Sequence, residues 1–106
     1  MGLGLYPRYI HWKIIEETMK EKEGKIKISY QFNEENKEGI IRVEFNNELK
    51  KIKRNFDSKS DLERFINDFS TELENSLIEN GIEFNKKEEE NKIIYSLTYP
   101  TYSKHL

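Results

Sequence analysis

The residues best suited to moving a proton near neutral pH are two histidines, His11 and His105, close to the two ends of the chain. Nucleophilic catalysis would need one of them beside a serine or threonine. No turn of the Gly-x-Ser-x-Gly kind presents a serine, and both histidines read as solvent-facing or interface residues. A metal centre would have to combine them with carboxylates, yet neither His-x-x-x-His nor Glu-x-x-His occurs. Cysteine is absent, which removes a thiolate nucleophile, a disulfide framework and a zinc-thiolate site. The glycines Gly2, Gly4, Gly24, Gly39 and Gly81 form no phosphate loop and read as lead-in, turn or helix-end residues. Nothing among the 20 acidic residues selects a general acid/base pair. No catalytic, cofactor-binding or metal-ligating residue and no cofactor is expected, and the chain reads as non-enzymatic.

Binding chemistry is better represented. Lys50, Lys51, Lys53 and Arg54 place four cations within one short run, which suits phosphate neutralisation. Without aromatic interleaving, the same run also suits a solvated edge strand kept from aggregating by its lysines. All 6 phenylalanines fall between Phe32 and Phe84, the expected core. Tyr6, Tyr9, Trp12, Tyr95, Tyr99 and Tyr102 lie instead toward the ends, accompanied by Arg8, Lys13 and Lys104. Chain ends are often close in space. A Tyr/Trp patch assembled from Tyr9, Trp12, Tyr99 and Tyr102 would have the composition of a protein-binding hot spot or of a base-stacking surface. The alternative places Trp12, Tyr95 and Tyr99 in the core. A second candidate surface is the acidic face of a helix carrying Asp61, Asp68, Glu72 and Glu79, which could dock a basic partner or simply face water.

These side chains need elements to hold them, and the clearest element is a helix from Ser60 to Gly81. Ser60-Asp61-Leu62-Glu63 has the form of a capping box. Leu62, Phe65, Ile66, Phe69, Leu73, Leu77 and Ile78 follow in steps of three and four, making one apolar stripe. Asn80-Gly81 is the stop, with Ile82 placed to fold back on Leu77 in a Schellman ending. Upstream, Pro7 to Glu23 has proline at a helical first position and Gly24 just past its end, which favours a helix. The alternation of Ile10, Trp12 and Ile14 would equally fit a strand; the helix is the reading carried forward.

From Lys25 the period changes to two. Ile26, Ile28, Tyr30 and Phe32 alternate with polar residues, then Ile41, Val43 and Phe45 do so after a polar turn at Asn33 to Gly39. Asn46-Asn47 suits a tight hairpin into a third strand, Glu48 to Phe56, where imperfect alternation predicts a bulge or a mistaken assignment. After the long helix come a strand opening at Ile82 and Phe84, a charged turn at Lys86 to Lys92, and a strand at Ile93, Tyr95, Leu97 and Tyr99 ended by Pro100. The expected fold is α+β, in the order α-β-β-β-α-β-β: an antiparallel sheet of about five strands with one long amphipathic helix across one face. Residues 1–6 and 101–106 read as flexible tails of a single domain. The order of the first five elements is similar to that of double-stranded RNA-binding domains. Those place lysines at the start of the second helix, where this chain has Ser58-Lys59-Ser60-Asp61-Leu62-Glu63, so the order alone is shared.

Composition frames the partner. A 106-residue chain is one domain by length. Its 36% charged content could signal disorder, but 12% aromatic residues and abundant isoleucine oppose that. Alanine is absent and Val43 is the one valine, the mark of AT-rich coding. The start of the chain lacks the apolar core of a secretion signal, no stretch is long and apolar enough to span a membrane, and cytoplasmic is the expectation. The segment Asp61 to Glu79 carries six acids against Arg64, or −5, leaving about +3 for the remainder of a chain whose net charge is −2. In style the chain resembles the small inhibitors and immunity proteins of phages and mobile elements. The expected function is a small protein-binding module that occludes a partner's surface. Nucleic-acid binding through Lys50 to Arg54 is the alternative, and self-pairing of an edge strand into a homodimer is compatible with both.

Overall fold

The computed structural model describes residues 8–100, the side chains of Arg8 and Tyr9 excepted. The expected tails at 1–6 and 101–106, Pro7, and the side chains of Tyr9, Tyr102 and His105 lie outside the described residues. The elements run α1 (Arg8–Glu21), β1 (Glu23–Asn33), β2 (Glu38–Phe45), β3 (Glu48–Asn55), α2 (Lys59–Glu79), β4 (Glu83–Glu89) and β5 (Lys92–Thr98). The strands form one antiparallel sheet in the order β3-β2-β1-β5-β4.

Register explains the core. Ile28 faces Val43 on β2 and Ile93 on β5, and Ile26 faces Phe45 and Tyr95. Because side chains alternate across a strand, these residues and Ile41 and Leu97 all stand on one side of the sheet, where they are buried. Both helices cover that side. Ile10 and Ile14 of α1 share an apolar recess with Val43 and Phe45, and Leu62, Ile66, Phe69, Leu73 and Leu77 of α2 are buried in the same cluster. The His11 and Phe69 rings, 4.9 Å apart, join the two helices. At 21 residues, α2 is about 31 Å long, longer than five strands are wide at about 4.8 Å spacing. It therefore runs diagonally, from Leu62 beside Gly39 of β2 to Glu74 beside Tyr95 of β5.

Several local expectations change. The cap of α2 is Ser58, whose Oγ accepts from the Asp61 N–H at 3.3 Å, so the helix starts two residues before the expected Ser60 box. Its end is the anticipated Schellman motif: Gly81 has φ +73°, Ile82 N–H donates to Leu77 O at 2.9 Å and Gly81 N–H to Ile78 O at 3.0 Å. Ile78 is not part of the buried stripe but 63% exposed, because it lies beyond the edge of the face that meets the sheet. Helix α1 ends at Glu21 with Lys22 in the left-handed conformation (φ 75°), and Gly24 belongs to β1. A Cβ there would stand 2.9 Å from Phe45 Cε1, so close packing and not helix termination requires that glycine. Gly39 is likewise a strand residue, where a Cβ would meet Phe56 at 2.8 Å.

The edge strands account for the remaining departures. β3 has no bulge; its pairing with β2 is continuous from Glu38↔Asn55 to Phe45↔Glu48. Alternation was weak because Lys50 and Arg54 occupy core-side positions on a strand the helices barely cover. β4 extends through the stretch expected to be a charged turn and reverses only at Asn91 (φ 58°). Its core-side positions include Lys86 and Glu88. Inward-pointing charges of this kind oppose pairing with a further strand. The cap assignment is tested by melting temperature: Ser58→Ala should cost about 1 kcal/mol, a fall of about 4–8 °C, while Ser60→Ala should leave the transition nearly unmoved.

Candidate functional site

The most closely coupled ionisable groups lie where α2 crosses β4 and β5. Tyr95 Oη donates to Glu74 Oε2 at 2.6 Å, and Lys86 Nζ reaches the same oxygen at 2.8 Å and Glu88 Oε2 at 3.3 Å. Burial alone would raise the Glu74 carboxyl, but bonds donated by Lys86 and Tyr95 outweigh it and hold the group below its ordinary value. Lys86 is held above its ordinary value by Glu74 and Glu88 despite burial. Burial, then the adjoining carboxylate, pushes the Tyr95 phenol up. The Tyr95 ring is fully buried and edge-on to Phe84. With their strongest donors and acceptor already satisfied by one another, Tyr95, Glu74 and Lys86 clamp the helix to the sheet. Among the described residues, no group of three or more His, Asp or Glu is placed to hold a metal ion. Nor is any helix among them long and apolar enough to cross a membrane.

Of the expected Tyr/Trp group, Trp12, Tyr95 and Tyr99 have described side chains. Tyr95 is core. Tyr99 is half-buried, its ring 5.2 Å from Lys22 Nζ and within 4.0 Å of the position a Cβ on Gly81 would take, so it is wedged between the ends of the two helices. Among the described members of the group, Trp12 is the one displayed, at 60% exposure. It stands on the rim of a groove between α1 and α2 whose other walls include Glu72, Ser76, Glu79 and Asn80, with Ile15 and His11 below. Asn80 is fixed there by its Nδ2 bond to Ser76 O at 2.8 Å. His11, expected to face solvent or an interface, is 6% exposed and packed on Phe69 instead.

The acidic residues separate in the same way. Glu72 and Glu79 share the groove with Trp12. Asp61 lies at the opposite end of α2, 3.4 Å from Arg64, and Asp68 is exposed on the intervening surface. Sequence spacing places Glu72 and Glu79 two helical turns apart on one side, but Trp12 joins them only through the packing of α1 on α2.

The basic run is divided by the pleat. Lys50 faces Val43 and Arg54 faces Gly39, on the helix side, where Arg54 lies 5.1 Å from the Phe65 ring. Lys51 faces Arg42 and Lys53 faces Ile40 on the side no helix covers. Arg42, Lys25 and Lys27 share that open side. Their positions were visible as the polar half of the alternation, whereas their assembly with Lys51 and Lys53 depends on strand pairing. No protein-family model, curated protein or solved structure matches this chain.

The clamp has a defined pH signature. Since the folded Glu74 carboxyl is depressed, its contribution is complete above its unfolded value of 4.5 and is lost as pH falls through the lower folded value. Glu74→Gln should melt below the wild type near about pH 6, by a difference that narrows toward about pH 3. Glu74→Ala, which orphans the Tyr95 hydroxyl, should cost about 1–3 kcal/mol by denaturant unfolding.

Proposed function

We propose that the chain is a non-enzymatic protein-binding module, and that it holds its partner in the groove between α1 and α2. The observation carrying this reading is Trp12, a large aromatic left 60% exposed on the rim of a groove that also presents Glu72 and Glu79. Tryptophan is enriched among residues that dominate binding energy, because covering its ring removes much apolar area from water. Two carboxylates beside that ring define the partner's chemistry: an apolar side chain flanked by lysine or arginine. Charge would speed and orient the encounter, and the indole would supply most of the affinity. The helix layer reinforces the preference, since α2 carries Asp61, Glu63, Asp68, Glu72, Glu74 and Glu79 against Lys59 and Arg64. Occupying a basic surface on another protein, by steric and electrostatic occlusion, is the mechanism this arrangement supports.

Trp12 is the single tryptophan of the chain, so its emission reports on this groove alone. Titration with short peptides alternating leucine with lysine or arginine should give a saturable blue shift. The doubly reversed variant Glu72→Lys/Glu79→Lys should bind at least about tenfold more weakly, about 1.4 kcal/mol. An unchanged spectrum, or equal binding of peptides in which glutamate replaces the cations, would refute the reading.

A further inference from the structure

The face of the sheet that no described helix covers presents an organised set of cations. Pairing sets Lys51, Arg42, Ser29, Lys92 and Glu89 in one row across all five strands, with Lys53 beside Ile40 and Gln31 in the next row. Lys27 lies one row to the other side and Lys25 beyond it. Some of these charges are balanced: Lys27 by Glu44 at 3.8 Å, and Lys87 and Lys92 by Glu89 at 3.5 and 3.6 Å. Arg42, Lys51, Lys53 and Lys25 have no carboxylate within ion-pair distance among the described residues. Arg42 and Lys51 are direct cross-strand partners, and like charges in that relation destabilise a sheet. A solvated face needs polar residues, not cations set against each other. That juxtaposition is accounted for by an anion with repeated charges.

We infer that this open face binds the phosphate backbone of a nucleic-acid duplex, through Arg42, Lys51, Lys53 and Lys25. Among the described residues, the face offers no aromatic residue on which unpaired bases could stack, which favours backbone contacts over single-strand readout. Nor do the described residues of this face include the aromatic anchor of a protein interface. Its apolar members are Leu49, Ile40 and Ile94, distributed over three strands. The acidic layer of α2 lies on the opposite side of the sheet, so a polyanion would be repelled there and received on the open face. The duplex-binding face and the Trp12 groove are therefore on different sides of the molecule.

Anisotropy of a short fluorophore-labelled DNA duplex tests the inference. Four phosphate contacts imply a slope of log affinity against log salt near about −3.6, and a roughly 150-fold loss between about 50 and 200 mM. Arg42→Gln/Lys51→Gln should reduce the slope by about 1.8, leaving a loss of roughly 12-fold. The same variant should melt no lower than the wild type, because a repulsive pair has been removed. Lys20→Gln, on α1, should leave the slope unchanged, and excess polyglutamate should fail to displace the duplex. Absence of binding at about 50 mM salt, a variant slope equal to the wild type, or a lowered melting temperature would each overturn the inference. So would displacement by polyglutamate as effective as by unlabelled duplex, which would make the ligand an acidic protein.

Discussion

The structure depends on one constraint: the large apolar side chains of its core must share a single side of a single sheet. With helices on one side only, each central strand has one set of alternate positions to spend on the core. Ile26 and Ile28, Ile41, Val43 and Phe45, and Ile93, Tyr95 and Leu97 fill those sets. A slip of one residue in any pairing would send an entire set into water. The tight turns guard against this, with Asn46 and Asn91 in left-handed conformations that fix the two flanking hairpins. The division of labour across the molecule follows: the covered side makes stability, and the open side is left mainly to polar and charged residues.

Charge separates along the same division. The helix layer is acidic and the open face has a basic half, so the modest net charge of −2 results from two opposed surfaces. Their difference in chemistry is also a difference in geometry. Trp12, Glu72 and Glu79 occupy a concave site between packed helices, whereas Arg42 and Lys51 lie on a flat, pleated surface. A groove suits one inserted side chain, and a flat face suits a rod-like polyanion.

What could be read in the sequence, and what could not, divides by range of interaction. The long helix, its Schellman end, the alternating strands and their order were legible because each rests on residues a few positions apart. The Ser58 cap was missed because Ser58 and Ser60 both precede an acid by three residues, and only the formed helix distinguishes them. β4 was hidden because an edge strand has little to bury, and its charges resemble those of a turn. The candidate sites were least legible. Trp12 meets Glu72 and Glu79 through helix packing, and Arg42 meets Lys51 through strand pairing; neither contact leaves a periodic trace. Lys50 to Arg54 looked like a single patch because linear proximity conceals the two-sidedness of a strand.

The sheet order has a kinetic consequence. Strands β1, β2 and β3 form a continuous meander, and β4 and β5 form a hairpin, so both assemble from neighbours in the chain. They meet at one seam, β1 with β5, where Glu23 pairs with Thr98. Everything between those residues must be gathered before the seam can close, and α2 is the strap that brings the halves together. The central strand of the finished sheet is thus the last to gain its second partner. Until it does, Ile26 and Ile28 lie at an open edge, making this seam the point at which a folding chain is most exposed to mispairing with another copy.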